Sequence, residues 1–587
     1  MANPIYKPID SEREQIRLLE LAPGAFDDDL VLSLRVRNLR PRKKRKWPVF
    51  EALSYFWGKQ VCERPAILHG HEFTIQRNLD CALRHLRHES GEPRILWVDA
   101  VCINQADVDE RSSQVRIMGR IFASAATVAV WLGPERIEDQ IIFDFARTCV
   151  IPDSWTEARP LLRAFKRVCR RPWFGRVWIV QELALAKADP VLHFGLRTLC
   201  WSDFHDRLSE LEQKAIEMRG GEWNSLDCFY FGDAADRVSN LEWIRIHKRF
   251  PLSLAIHSTR HSLATDPRDC IYGLLAICCF DQKDQIIVAD YSKTVPEVFT
   301  EATTSLILEG DSPYFTNLLR SAGAPNPAIS VFLPSWVFDF TISSRLTTDE
   351  RLWETPRRLR PGNVKAWPST DHLEYLKETS KISGDGKTLI TVGLHLGLID
   401  ETIPDLFSVR EPSFGRIDYA PSAKRLNHVY NHVLVARHIP AEKLIRAIDG
   451  AELRSEDQIA SCTQIMTKRL DDDELHGEDL SVLHLFRQTR EHRVFVTKEN
   501  HVGMIYHPDP NGVRKGDVLV GLFGINFPFV LRPVPGTLDD QGIPSYQMIN
   551  IARVAHHKFE HDFLGEITPD SKWSDYEKFG IREYRII

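Results

Sequence analysis

The 587-residue sequence lacks long hydrophobic runs and any strong charge imbalance. No stretch approaches the ~18 consecutive apolar residues of a transmembrane helix, and residues 1–4 do not open a basic-then-apolar signal pattern. We therefore expect a soluble cytoplasmic protein without a membrane span. The formal net charge of -6 makes nucleic acid or an anionic membrane an unlikely partner.

The sequence also lacks paired cysteines and the common cofactor motifs. Its eleven cysteines form no CxxC pair, and the only close pair is Cys278-Cys279, which argues against a zinc ribbon or a secreted disulfide framework. Phosphate-loop, GxGxxG, GxSxG and HExxH motifs are missing. From these absences we expect no metal site and no bound cofactor.

What is present is an ordinary globular composition, 43% hydrophobic and 27% charged, over a length that suggests three to four domains or one large composite domain. One basic segment, residues 40–46, interrupts it. This segment is a solvated loop, an anion-binding arm or a nuclear import signal. The last alternative allows a nuclear rather than cytoplasmic location.

The first 200 residues alternate between strand and helix patterns, which predicts an α/β domain. Residues 67–75 read as a hairpin, and Leu79, Ala82, Leu83 and Leu86 share one face of a helix. The segments that read as strands are residues 31–36, 50–58, 95–103 and 127–133.

The ends of such strands collect ligand-binding groups in an open parallel sheet. Here they carry Trp57-Gly58, Asp99 through Asn104 and Gln105, and Leu132-Gly133. Asn104 and Gln105 are either turn-forming amides or ligand contacts. Asp99 either bonds the amides of the following turn or faces a ligand.

Residues 171–183 place Glu182 in an apolar, tryptophan-rich segment, where an unpaired carboxylate is costly to bury. One reading is a structural ion pair with Arg171, Arg176 or Arg111. The other is a reactive carboxylate at the wall of a cleft.

The remainder of the chain changes character twice. Helical patterns occupy residues 201–219, 253–279 and 295–309, and strand patterns return at residues 388–392, 493–497 and 518–523. We divide the chain into residues 1–200, a helical region 201–360 and a β-rich region 361–587, which forms a barrel or sandwich. Linkers are predicted at residues 357–362 and 409–423.

Four long blocks resemble the fungal heterokaryon incompatibility (HET) domain, and they stand in the same order. They are residues 50–58, 96–105, 130–133 and 173–182, with Glu110-Arg111, Gln114-Val115 and Met118 between the second and third. A looser resemblance continues through Pro267-Arg268-Asp269, where Cys270 replaces a more usual lysine, then residues 333–337, Gly516-Asp517 and residues 528–532.

The resemblance implies a role in non-self recognition that ends in programmed cell death. It also implies a distant similarity to Toll/interleukin-1 receptor (TIR) domains, whose flavodoxin-like fold has a parallel sheet with flanking helices. In TIR domains that cleave NAD⁺ the glutamate of the Trp-x-x-x-Glu motif is catalytic, and it corresponds to Glu182. The candidate substrate-binding residues around it are Ser54, Tyr55, Trp57, Gly58, Asp99, Asn104, Gln105, Arg111 and Trp178.

A single carboxylate suits this reaction because nicotinamide is a cationic leaving group that needs no general acid. The carboxylate stabilises the oxocarbenium-like transition state, and two nearby arginines are expected to keep it ionised. NAD⁺ would then be a substrate rather than a cofactor. The alternative is a non-enzymatic death-signalling module that acts by self-association or by binding an unknown incompatibility partner. For either function, the later regions are expected to restrain the toxic domain or to sense a partner.

Overall fold

The computed structural model describes residues 6–39, 49–58, 63–218, 226–259, 262–279, 287–309, 333–341, 380–403, 436–440, 442–443, 492–506, 512–522, 528–539, 542–554 and 581–587. The chain divides into two compact units, residues 1–298 and 299–587. The first contains the α/β part. The predicted division into three parts at residues 200 and 360 stays a prediction. The first compact unit extends past residue 200, to residue 298.

The described residues of the first unit form a nine-stranded mixed sheet in the order β5-β4-β2-β1-β6-β3-β7-β8-β9. Its strands are β1 (Gln15–Leu21), β2 (Val31–Asn38), β3 (Glu51–Tyr55), β4 (Glu63–Leu68), β5 (His71–Gln76), β6 (Arg94–Trp97), β7 (Thr127–Trp131), β8 (Val191–Phe194) and β9 (Arg197–Cys200).

Four neighbouring strands, β6, β3, β7 and β8, run parallel at the centre of this sheet. Numbered by their appearance in the chain, their order is second-first-third-fourth, as at the start of a flavodoxin-like sheet. The middle two strands are rich in apolar residues and are buried from Ala52 to Tyr55 and from Val128 to Trp131. Such runs are typical of strands covered on both faces.

The first unit also contains helices. They are α1 (Arg77–Leu86), α2 (Asp99–Cys102), α3 (Val108–Ser124), α4 (Asp139–Thr148), α5 (Trp155–Cys169), α6 (Ile179–Ala184), α7 (Trp201–Met218), α8 (Leu226–His247), α9 (Leu252–Thr259) and α10 (Asp269–Tyr272), with 3-10 turns at Pro172–Gly175 and Leu275–Ile277. The boundary between the units, at residues 298 and 299, falls within helix α11 (Val295–Glu309).

The predicted hairpin is confirmed as the antiparallel pair β4–β5, and the apolar face of α1 is buried as its spacing predicts. The prediction of one strand over residues 95–103 is wrong beyond Trp97, because Asp99 opens the short helix α2. The amide of Cys102 bonds back to the Val98 carbonyl there. Strands β1, β8 and β9 and helix α8 were not predicted, and the helical pattern at residues 253–279 is broken into α9 and α10.

The second unit is rich in strands. They are β10 (Lys381–Ile382), β11 (Leu389–Ile403), β12 (His492–Thr497), β13 (Val502–Tyr506), β14 (Val518–Leu522), β15 (Pro528–Leu538), β16 (Pro544–Val554) and β17 (Ile581–Ile586).

The pairing of β11-β12-β13-β16-β15-β14 returns from β14 to β11, so these strands close into a small barrel. Phe495, Leu519 and Val530 lie in its core and are fully buried. Closure removes the exposed edges that an open sheet of this size would present. Of the two predicted alternatives, the barrel is therefore the one observed.

The basic run at residues 40–46 and both predicted linkers lie outside the described residues. Within the described part of the chain, no helix is long and apolar enough to cross a membrane. Nor does that part bring three or more histidine, cysteine or acidic side chains together as a metal site.

Candidate functional site

The candidate site lies at the carboxyl end of β3, the strand where the parallel order reverses direction along the sheet. Ser54 and Tyr55 end this strand, with β6 on one side and β7 on the other. The turn at Pro172–Gly175 and helix α6 bring Trp173, Arg176 and Glu182 to the same place. Ligands of open α/β sheets bind at such reversal points.

Glu182 is 2% exposed and is bonded to the end of β3. The Ser54 hydroxyl donates a hydrogen bond to Glu182 Oε2, and Trp173 Nε1 donates to Ser54 Oγ over 2.7 Å. The hydroxyl thus accepts one bond and donates the other. This chain of bonds aligns the carboxylate from the side of the sheet.

Arg176 is the arginine that accompanies Glu182. Its Nη1 donates to the Tyr55 carbonyl over 2.6 Å and lies 3.5 Å from Glu182 Oε1. Arg171 instead forms a buried ion pair with Asp139, and the Arg111 guanidinium lies 4.1 Å from the centre of the Tyr291 ring. The sequence left these three arginines open as partners, and only Arg176 is in place.

Burial raises the pKa of Glu182 to about 7, although the Arg176 charge and the Ser54 hydrogen bond both lower it. The negative charge of Asp99 adds to the rise. We had expected two arginines to keep the carboxylate ionised at neutral pH. With one arginine and full burial, both protonation states are populated near pH 7.

Asp99 forms the outer part of the site. Its carboxylate accepts hydrogen bonds from the Ala100 amide over 2.7 Å and from Trp57 Nε1 over 2.9 Å. The Tyr55 hydroxyl is a further donor, and desolvation raises the pKa of Asp99 while the Arg176 charge lowers it. Asp99 therefore caps the following turn, as one alternative predicted, and also holds the indole of Trp57, which is 37% exposed.

Asn104 and Gln105 both bond within the turn after β6, one by its backbone and one by its side chain. Gln105 Nε2 donates to the Asp99 carbonyl over 3.0 Å, and the Asn104 backbone N–H donates to Glu110 Oε1 over 2.7 Å. Gly58 follows Trp57 with a φ of +86°, a conformation that favours glycine. These contacts are those of turn-forming residues.

Arg111 and Trp178 belong to a second cluster. Trp178 Nε1 donates to Asp269 Oδ2 over 3.0 Å, and the Tyr291 hydroxyl donates to Asp269 Oδ1 over 2.6 Å. Burial raises the pKa of Asp269 to about 6, against the effect of both hydrogen bonds. The structure thus brings Glu182, Ser54, Tyr55, Trp57 and Asp99 together, and links Trp178 to a residue that sequence reasoning did not name as part of the site.

Sequence reasoning did not name two residues that make contacts in these clusters, Asn78 and Asp269. Asn78 joins neighbouring strand ends, because it donates to the Phe56 carbonyl and accepts from Trp131 Nε1 over 3.1 Å. Asp269 had a visible signal, since it lies in the Pro267-Arg268-Asp269 block of the looser resemblance. Asn78 had none beyond its place at the start of a helix.

Comparison with known proteins bears directly on the blocks that build this site. Residues 50–182 match the family model described as heterokaryon incompatibility protein (HET). Over these residues the chain is similar to the HET domain family. The matched HET region begins at β3 and ends on Glu182, so Asp269 and Tyr291 lie beyond it.

A Neurospora crassa protein, heterokaryon incompatibility protein 6 (OR allele), is 30% identical over 234 residues. The match covers 31% of this chain and 34% of the relative, so the chain spans about a third of that protein. No solved structure matches. The family match therefore describes residues 50–182.

Proposed function

We propose that this chain acts in heterokaryon incompatibility and that its HET domain triggers programmed cell death after non-self recognition. The family match over residues 50–182 and the name of the Neurospora relative support this role. We further propose that the HET domain is TIR-like. The second-first-third-fourth order of the parallel strands supports that likeness.

The chemistry we propose is hydrolysis of the nicotinamide–ribose bond of NAD⁺. The bond between ribose C1′ and the pyridinium nitrogen breaks, and its electron pair leaves with nicotinamide. A water oxygen then bonds to C1′ and a proton is released, giving ADP-ribose. The observation that carries this proposal is Glu182, a buried carboxylate bonded to Ser54 at the carboxyl end of the central strand.

Glu182 would act in its ionised form. Positive charge develops on the ribose ring as the bond breaks, and a carboxylate in a low-dielectric site stabilises that charge strongly. Arg176, 3.5 Å from Glu182 Oε1, favours the ionised form. With a pKa of about 7 for Glu182, we expect the rate to rise as pH increases through neutrality.

Trp57 and Asp99 stand at the exposed side of the site. Asp99 fixes the Trp57 indole by a hydrogen bond, and the partly exposed ring offers a flat apolar face. Planar groups such as nicotinamide or adenine stack on faces of this kind. We assign Trp57 to substrate binding and Ser54 to orienting Glu182.

The test is NAD⁺ consumption by the purified full-length protein beside Glu182→Gln, which keeps the shape and removes the charge. Loss of a main electrostatic stabiliser costs about 10²–10³ in rate. Glu51→Gln is the matched control, because Glu51 lies at the other end of β3 and pairs with Arg94. Activity in wild type and in Glu51→Gln that is lost in Glu182→Gln supports the proposal, and equal activity in all three proteins contradicts it.

The second candidate function is a non-enzymatic signalling module that assembles with itself or with a partner. The observation that favours it is the enclosure of Glu182, which is 2% exposed and already bonded to Ser54 and paired with Arg176. Buried carboxylates paired in this way are common structural features. If Glu182→Gln still kills cells when expressed and no NAD⁺ is consumed, assembly is the mechanism.

A further inference from the structure

The loop that carries Arg176 is bound by a segment beyond the HET match, and this segment consists of residues 263–279 and 287–291. The Leu263 amide donates to the Gly175 carbonyl over 2.5 Å, and the Val177 amide donates to the Leu263 carbonyl over 3.1 Å. These two bonds bracket Arg176 in a short parallel bridge. The backbone at Arg176 is therefore held by residue 263.

The start of α6 is bound by the same segment. Trp178 precedes the helix, and its carbonyl accepts the hydrogen bond from the Glu182 amide over 3.2 Å. Its indole is tied in turn to Asp269, which also accepts the Tyr291 hydroxyl. A carboxylate suits this position because it accepts from both donors at once. Asp269 thus fixes the first turn of the helix on which Glu182 lies.

This segment also packs closely against Val177, which precedes α6. A Cβ added at Gly273 would lie 3.1 Å from Val177 Cγ1, so the absence of a side chain allows the contact. Arg268 joins the two parts of the segment with hydrogen bonds to the carbonyls of Tyr291 and Lys293. The Trp178–Asp269 bond and the Gly273–Val177 contact therefore hold a connected segment against the start of α6.

We propose that Asp269 is a positioning residue for Glu182, acting through the indole of Trp178, and that the working HET unit extends beyond residue 182 to include residues 263–279 and 287–291. The enzymatic part of this inference rests on the proposed NAD⁺ hydrolysis. The geometric part concerns only the loop 173–182 and its contacts. Asp269 itself is bonded to Trp178 and Tyr291 and needs no contact with substrate.

The experiment uses the full-length protein with Asp269→Ala, Asp269→Asn, Trp178→Phe and the double variant Asp269→Ala/Trp178→Phe. We expect Asp269→Ala to lower kcat by about ten- to a hundredfold with little change in KM, because small misplacements of a reacting group cost rates of that order. Asp269→Asn should restore most of the activity, since its amide oxygen accepts from Trp178 while its NH₂ donates to the Tyr291 oxygen. Thr304→Val is the matched control, because it removes from α11, outside this segment, a hydroxyl that bonds the Thr300 carbonyl.

If Asp269 acts through Trp178, the double variant loses no more activity than Trp178→Phe alone, because one interaction is removed twice. Hydrogen exchange of peptides covering residues 173–183 gives a second readout that needs no activity. We expect faster exchange there in Asp269→Ala, with unchanged exchange in β7 of that variant and at residues 173–183 of Thr304→Val.

The two proposals can fail separately. If wild type consumes no NAD⁺, the proposed hydrolysis fails, and faster exchange at residues 173–183 still supports the positioning role. Additive losses in the double variant, or wild-type activity and exchange in Asp269→Ala, overturn the positioning role. An Asp269→Ala variant that is only less heat-stable, with unchanged kcat and exchange, overturns it as well.

Discussion

Glu182 is held among groups that act on its charge in opposite directions. Burial and the nearby Asp99 favour the neutral acid, whereas Arg176 and the Ser54 hydroxyl favour the carboxylate. Burial is the largest of these effects, so the pKa rises to about 7 from the ordinary 4.5. The folded protein therefore binds a proton between these two values that the unfolded chain does not bind.

That proton makes stability depend on pH at this residue. The contribution is fully present below pH ~4.5 and is lost as pH rises through about 7, because burying the carboxylate costs more than burying the acid. Glutamine resembles the neutral acid at every pH. We expect the free energy of unfolding of Glu182→Gln, relative to wild type, to increase by about 2–3 kcal/mol between pH 5 and pH 8.

Calorimetric unfolding of both proteins at intervals across this range measures the difference. The thermal midpoint of the glutamine variant should move upward against that of wild type as pH rises. A difference that stays constant with pH would show that Glu182 titrates in its ordinary range. A difference that changes in the opposite direction would show that Arg176 outweighs burial.

Helix α3 and the helical elements that follow the HET match approach one another closely at Gly119. A Cβ placed there would lie 2.5 Å from Ala276 Cβ and 2.8 Å from Leu185 Cδ1. The missing side chain lets the turn Leu275–Ile277 and the end of α6 pack against the middle of α3. Glycine inside a helix normally costs about 1 kcal/mol relative to alanine, so the close approach accounts for its presence here.

Gly119→Ala is therefore expected to destabilise the protein, because overpacking costs about 1–3 kcal/mol and exceeds or cancels the gain in helix propensity. Thermal unfolding by calorimetry gives the sign. Gly384→Ala serves for comparison, since a Cβ there meets nothing within 4 Å. A rise in the midpoint of Gly119→Ala would contradict the close packing of α3 with residues 275–277.

The chain combines two units of different architecture, a mixed sheet with helices and a closed barrel. In the barrel, residues 516–517 and residues 528–532, which both belong to the looser HET resemblance, are joined by hydrogen bonds of Arg532. Arg532 donates to both oxygens of the buried Asp517, each over 2.8 Å, and its Nη2 also donates to the Gly512 carbonyl over 2.6 Å. These residues have a structural role at the turn that precedes β14.

Arg532→Lys keeps the charge but replaces a planar fork by a single ammonium group, which cannot reproduce these bonds. We expect the barrel to lose about 1–3 kcal/mol, the usual cost of an incompletely bonded buried group. Hydrogen exchange across β14 and β15 measures the loss locally. Lys515→Arg, at an exposed ion pair with Asp400, should leave exchange unchanged, and equal exchange in both variants would contradict the role of Arg532.

The sequence predicted the central strands and Glu182 because both are local properties. The strands of the HET blocks follow from short apolar runs, and Ser54 and Glu182 lie inside two of those blocks. The strand at residues 95–103 was predicted too long because its apolar composition continues through α2. Composition does not show that Asp99 opens a helical turn there.

Residue order by itself determined that the chain has an α/β part similar to the HET domain family, a β-rich part and a glutamate in an apolar segment. Only the tertiary structure decided that Arg176 rather than Arg171 or Arg111 accompanies Glu182, that Asp269 holds Trp178, and that β14 returns to β11 to close the barrel. Each of these is a contact between residues far apart in the chain or a choice among similar charges. Local pattern carries no information on which distant groups meet, because that depends on how the whole core packs.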